Sequence, residues 1–305
     1  MLADRVRMVS SKKQGMWVLV GNKGKISISY DGIEWIAVSS GISEDIFCIE
    51  YGNGTWVAGS RDGNILISTD GINWVQRSIG LSVDIQSVLY VDGMWLIGAS
   101  NGRIYTSTDL ITWVKRETYH GNRINKLAYG NGLYVGVSYF GYALTSTDGI
   151  NWASNILNLP VAKKENLLCI AFGKDDNGVD TWAIGDAVGR IFVSQDFSYW
   201  GNRGQNLEPD SVYTVAYGEN GGFIAAGGEG KLVYSDNGGY SNFPQDSSFV
   251  GTDIRSVYYA NKLWVAVGDS SKLATSINGV DWVQRDSKTK DTYVYRLNDV
   301  KYGGE

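Results

Sequence analysis

The 305 residues include 43% hydrophobic side chains, enough to bury a large core, and 39 glycines against 3 prolines describe many tight turns rather than disorder. A net charge of -5 argues against a general nucleic-acid binder, whose phosphate contacts need a strongly basic face. No apolar run approaches the roughly 18 residues of a membrane span, and the opening MLADRVRMVSSKK lacks the apolar core of a secretory signal, so the expectation is a chain without export or membrane insertion.

The first element met along the chain is a weak strand pattern at Val6 to Ser11, and the first aromatic-rich segment holds Trp17 and ends on SYDGIEW. From there the chain repeats itself. Trp35, Trp74, Trp113 and Trp152 stand at a constant spacing of 39, followed by Trp200, Tyr240 and Trp282 at spacings of 48, 40 and 42. In the third copy the pattern runs IQSVLYVDG, MWLIGAS, GRIYTSTD and TWVKRE, four short β-branched and aromatic segments divided by Gly, Asn and Asp turns. No sustained helical period interrupts it. Seven four-stranded units of about 40 residues predict a single all-β domain over 1–305, a seven-bladed β-propeller of antiparallel blades.

The predicted innermost strands have apolar residues at the first and fourth positions and an aromatic at the sixth: Ile46 to Tyr51, Ile85 to Tyr90, Ile124 to Tyr129, Leu167 to Phe172, Val212 to Tyr217, Ile254 to Tyr259 and Leu297 to Tyr302. Circular closure removes exposed sheet edges, so the last of these is expected to complete the blade holding Trp17 and Trp35 and to leave one terminal segment spare. Cys48 and Cys169 share one register on strands three blades apart, which predicts free thiols rather than a disulfide.

Repeated positions build the fold, so specificity is sought where copies differ. The tips between second and third strands are Asn22-Lys23, Arg61-Asp62, Ser100-Asn101, Tyr139-Phe140, Ala187-Val188, Gly228-Glu229 and Asp269-Ser270, and only the fourth is aromatic. Tyr139, Phe140 and Tyr142 are expected to share a rim with Tyr119, His120, Asn122 and Arg123 of the entering connection and with Lys163 and Lys164 of the next. Aromatic area beside amide, imidazole and cationic groups suits a sugar or a partner's loop. Basic residues just past the tips (Lys25, Arg103, Arg190, Lys231, Lys272) and on outer strands (Arg77, Arg116, Arg203, Arg285) describe a discontinuous basic belt. KDDNGVD, at 174–180, is an oxygen-rich hairpin without the spacing of a calcium loop, so no metal is expected there.

The segments SYDGIEW, STDGINW, STDLITW, STDGINW, SQDFSYW, YSDNGGY and SINGVDW resemble the Asp-box, or BNR, repeat of sialidase-like propellers, over essentially the whole chain. The resemblance implies that each motif is the hairpin between third and fourth strands, with a structural Asp31, Asp70, Asp109, Asp148, Asp196, Asp236 or Asn278 bonding turn backbone. Its aromatic (Trp35, Trp74, Trp113, Trp152, Trp200, Tyr240, Trp282) would wedge into the core. The loop between Asp and Trp is one residue shorter here than in the usual family form.

Sialidase chemistry would need three converging arginines, a Tyr nucleophile, a Glu partner and an acid near the channel mouth, whereas the repeating arginines fall on outer strands. His120 is the only histidine, which excludes multi-His metal sites, and the glycine-rich turns lack a phosphate-loop Lys. The reading is a non-enzymatic binding or structural propeller without cofactor. The repeats also resemble Asp-box proteins of tailed bacteriophages and bacteria, which implies a virion-associated protein of tail, neck or fibre, assembled in the host cytoplasm, docking other subunits or a host-surface glycan. The alternatives are a glycan-active enzyme using channel carboxylates such as Glu50 or Asp299, and an assembly factor for a protein complex.

Overall fold

The computed structural model describes residues 15–118, 121–175, 177–202, 207, 210–219, 222–235, 249–289 and 293–304. Seven antiparallel sheets follow one another along the chain. Blade 1 takes its innermost strand from the C-terminus: Leu297–Gly303 pairs with Met16–Gly21, which continues into Lys25–Ser29 and Ile36–Ser39. Trp17 stands opposite Tyr302 and Val18 opposite Lys301 across this closure. The ring is thus shut by main-chain ladder, as the absence of a tolerable free edge requires. The candidate strand at Val6 to Ser11 lies outside the described residues.

Blades 2 to 5 and 7 each run in sequence order, from Ile46–Gly52, Ile85–Val91, Ile124–Gly130, Leu167–Lys174 and Ile254–Ala260 at the axis to a short outer strand. Blade 6 has three strands among the described residues (Val212–Tyr217, Phe223–Gly227, Leu232–Ser235). Its Asp236 and Tyr240 lie outside them.

The core is divided into seven clusters, one at each junction between blades. Val18, Val20, Ile26 and Ile28 of blade 1 meet Ile46, Ile49, Trp56 and Leu66 of blade 2, and Trp17, Leu19, Leu297 and Val300 meet Val265, Val267 and Leu273 of blade 7. The sixth-position aromatics explain themselves here. Each lies against the second-strand aromatic of its own blade, as Tyr51 does on Trp56 with centroids 4.8 Å apart and Tyr259 on Trp264 at 4.8 Å. Tilted pairs of this kind add to burial because ring edges meet ring faces. At the closure a Cβ on Gly303 would fall inside the Tyr51 ring, so glycine lets blade 1 seat on blade 2.

The seven-residue motif builds the hairpin between third and fourth strands. In the second copy Asp70 Oδ1 accepts from the N–H of Ile72 (2.9 Å) and Asn73 (2.8 Å), while Ser68 Oγ donates to the same atom and accepts from Gly71 N–H. Trp74 Nε1 closes the motif by donating to Gly71 O at 2.9 Å. Copies with Gly32, Gly149 and Gly279 repeat that indole bond. Leu110 and Phe197 replace the glycine in copies three and five, both at positive φ (60° and 63°), and there the buried indole nitrogens of Trp113 and Trp200 have no hydrogen-bond partner among the described residues. The aromatics differ in depth: Trp35, Trp152 and Trp200 are buried, whereas Trp74, Trp113 and Trp282 are half-buried.

Candidate binding site at the channel mouth

Each innermost strand starts with a β-bulge. The register between first and second strands slips at Ile46/Cys48, Ile85/Ser87, Ile124/Lys126, Leu167/Cys169, Val212/Thr214, Ile254/Ser256 and, on the partner strand in blade 1, Val20/Gly21. A bulge places one extra residue against the ladder and re-aims its side chain. The seven residues so released are Phe47, Gln86, Asn125, Leu168, Tyr213, Arg255 and Asn298, and all seven line one cavity of about 670 Å³ on the channel axis. They share a place in the repeat but little chemistry: only Asn125 and Asn298 coincide, each donating from Nδ2 to the first carbonyl of the next blade's innermost strand (Leu167 O at 2.7 Å, Ile46 O at 2.6 Å). The fold thus delivers one free choice per blade to a common mouth.

The next residue of each strand forms a second ring, which fastens blades together. Ser87 Oγ accepts from Leu127 N–H (3.0 Å), Thr214 Oγ1 from Val257 N–H (3.2 Å) and Asp299 Oδ2 from Ile49 N–H (3.2 Å), each bond crossing to the following blade. Asp299 also accepts from Ser256 Oγ at 2.7 Å, across its other junction. Cys48 and Cys169 occupy the same ring as buried free thiols, as their register predicts. Burial pushes both up to about 12, so they stay protonated. Lys126 of blade 4 reaches across the channel, its Nζ 3.6 Å from Asp299 Oδ2 of blade 1, and this pair is the floor of the cavity. Two residues further along, Lys301 is ion-paired to Glu50 at 3.0 Å and lies over the Tyr258 ring at 4.6 Å. The two carboxylates with catalytic potential in the sequence, Glu50 and Asp299, thus both hold neighbouring blades.

Charge gathers on the rim. Arg61 pairs with Asp45 at 2.6 Å, and Arg255 lies over the Tyr213 ring at 4.2 Å while bonding Asp253 (2.6 Å) and Asp269 (3.0 Å). Arg296 shares Asp269 at 2.9 Å. Burial alone would raise the Asp269 carboxyl, but the two guanidiniums outweigh it and hold it below the ordinary range; Arg255 is correspondingly raised against its own burial. Arg61, Arg123, Lys126, Arg255 and Arg296 face Asp45, Asp269 and Asp299 around the cavity, an excess of positive charge on a chain whose net charge is -5. Counting only the repeating outer-strand arginines missed this group. Only Arg255 of the group stands at the second position of an innermost strand, and Lys126 stands one place further along its own; Arg61 comes from a turn tip and Arg123 and Arg296 from the connections entering blades.

The rim expected from Tyr139 and its neighbours is assembled in part. The tip turns through Phe140 in left-handed conformation (φ 57°), which leaves its ring 58% exposed and edge-on to Tyr139 at 6.4 Å. Phe140 N–H donates to Asn166 Oδ1 (3.2 Å), and Ser138 Oγ donates to Arg123 O (2.7 Å), so both flanking connections do meet the tip. Their charges go elsewhere. Lys164 donates inward to Leu159 O and packs under Gly141, Lys163 pairs with Glu165 (2.7 Å), and Arg123 lines the axial cavity. Asn122 contributes its carbonyl to Ser138 Oγ at 3.2 Å, and Tyr142 is half-buried at the head of its strand. Tyr119 and His120 lie outside the described residues.

The basic belt is largely bonded into the protein. Arg190 pairs with the buried Asp186 (2.6 Å) and Lys231 with Asp210 (2.7 Å), while Arg116 and Arg285 donate to Thr106 and Thr275 on the adjacent strand. Arg203 lies outside the described residues. In the oxygen-rich hairpin Asp175 accepts turn amides and Asp180 pairs with Lys174 at 2.6 Å.

No protein-family model matches this chain, and no curated protein matches it. Solved structures do match in fold. A structure of YCF48 bound to D1 peptide superposes with a TM-score of 0.67 at 17% identity, over 85% of this chain and 87% of that one. The computationally designed Ika8 protein gives 0.63 at 14%, over 97% and 95%, and YCF48 from Cyanidioschyzon merolae gives 0.63 at 13%, over 84% and 94%. A chain in a structure of the Mitotic Checkpoint Complex gives 0.64 at 15%, over 85% of each.

Proposed function

We propose that this chain is a non-enzymatic binding module that docks a protein partner on the face carrying the channel mouth. The observation behind this reading is the division of labour between rings. Positions that repeat make the hairpins and junctions, while the bulge positions, which vary from blade to blade except for Asn125 and Asn298, line one concave mouth. Two of the similar structures are, by their descriptions, protein assemblies, one with a peptide bound and one a multi-protein complex. The likeness of the repeats to Asp-box propellers of tailed bacteriophages supports a partner within a larger particle such as a virion tail, neck or fibre. The exposed Tyr139–Phe140 edge supports a glycan as a second contact beside the mouth.

The test compares co-purification of tagged wild type with two variants. Phe47→Asp alters the mouth, and Ile111→Asp alters the third-to-fourth hairpin at the opposite end of a blade, where Ile111 is 72% exposed. The expected result is a stoichiometric partner retained by Ile111→Asp and lost by Phe47→Asp. Equal retention by both, or loss from Ile111→Asp alone, contradicts the docking face. A glycan array run beside Tyr139→Ala with Phe140→Ala decides the sugar contact, and equal binding by wild type and variant removes it.

A further inference from the structure

Three observations in the cavity point to one kind of occupant. The first is Gln86, a residue 7% exposed that lines the cavity and makes no side-chain hydrogen bond to any described residue. Its carboxamide opens onto the cavity with both its donors and its acceptor free to bond a group that arrives. The second is the slack in the floor. Lys126 Nζ stands 3.6 Å from Asp299, too far for a hydrogen bond, and Asp299 already accepts from Ile49 N–H, Ser256 Oγ and Val300 N–H. Lys126 can therefore leave without stripping that carboxylate of its donors. The third is charge: the cavity has more cations than carboxylates, and Arg123 among them has no ion pair with any described residue. A small excess of positive charge suits a single carboxylate better than a dianionic phosphate set beside Asp299.

We infer that the channel mouth receives the tip of a partner-protein loop bearing an acidic side chain. Lys126 swings from Asp299 to the incoming carboxylate, Arg123 supplies a second cation from the rim, and Gln86 pairs its C=O and NH2 with the backbone of the inserted loop. The volume of about 670 Å³ holds a few residues and falls within the range of sites that enclose small ligands. This inference rests on the docking face proposed above and adds what enters it.

The test uses the full chain and three short probes followed by NMR: acetyl-Gly-Gly-Asp-Gly-Gly-amide, its Asn counterpart, and acetylated pentaglycine with a free C-terminus. The Asp peptide is expected to shift the Gln86 side-chain amide and to bind about tenfold more tightly than the Asn peptide, the worth of one charge-assisted hydrogen bond. Lys126→Met is expected to abolish that tenfold preference, and Gln86→Leu to weaken both peptides alike. Equal affinity of wild type for the Asp and Asn peptides overturns the inference without recourse to any variant. Preference for the free C-terminus overturns the loop assignment, and undiminished preference in Lys126→Met overturns the swing. Failure here with partner capture still abolished by Phe47→Asp leaves the docking face standing and removes only the inserted acidic side chain.

Discussion

Glu50→Gln tests how the ring is held shut. Lys301 belongs to the closing strand and its ammonium is 3.0 Å from Glu50 Oε2 in blade 2, with side chains only 18% and 14% exposed. Burial alone would lower the Lys301 pKa, but Glu50, Tyr258 and Asp299 outweigh it and raise it above the ordinary lysine value. A raised lysine pKa means the contribution is complete at neutral pH and fades only as pH climbs past about 10.4. Removing one partner of a buried pair strands the other charge and costs about 3 to 5 kcal/mol. The residual exposure and the Tyr258 face place this case at about 3 kcal/mol, or roughly 5 °C in Tm for a chain of this size. Lys301→Met strands Glu50 and should cost about the same. The double variant should also sit near 3 kcal/mol, not 6, giving a coupling of about 3 kcal/mol in urea unfolding followed by tryptophan fluorescence. Single variants within about 0.5 kcal/mol of wild type, or additive losses in the double, would refute the reasoning. So would a glycan hydrolysed by wild type and untouched by an equally stable Glu50→Gln, which would make Glu50 a catalytic group.

Three further predictions concern the repeat and the thiols. Hydrogen bonds from Asn73, Ile72 and Ser68 overcome partial burial and hold Asp70 down at about 2, so its contribution is full above pH 4 or so and is lost as pH falls toward 2. Asp70→Asn should cost about 1 kcal/mol at pH 7 and flatten the acid dependence, because Asp70 Oδ2 also accepts from Asn73 Nδ2 (2.7 Å) and an amide nitrogen there cannot, whereas in the seventh copy Asn278 accepts the same amides (2.9 Å each) and donates its own Nδ2 to Asp281; an unaltered acid profile in urea titrations would count against this. Gly149→Ala forces a left-handed residue (φ 69°) against Met94 and should cost about 1 to 2 kcal/mol, whereas no loss in thermal unfolding would show that strain is not what favours glycine there. Cys48 and Cys169 should react with a thiol reagent at pH 8 only at the rate of unfolding, and a fast phase in native protein would contradict their burial.

The architecture was legible because it repeats. A tryptophan every 39 residues, the turn chemistry of the motif and a leftover inner strand at Leu297 together define blades, hairpins and closure. The mouth was harder to read. A bulge changes the pairing count and leaves no dedicated residue type, so Phe47 or Arg255 looks like any strand residue. Its one trace was present: apolar residues at the first and fourth positions break the period of two that an unbulged strand would keep, as Ile46 and Ile49 do. The rim around Tyr139 was found by asking where copies differ, but only among the turn tips. Applied to the innermost strands, the same question leads to the cavity.

The central claim is that a partner meets the channel-mouth face. A photo-crosslinking residue placed at Phe47, on the mouth, and separately at Ile111, at the far end of the blades, tests it in the cells that make the protein. The account predicts one defined adduct from position 47 and none from position 111. Adducts from 111 alone, or none from 47, would contradict it.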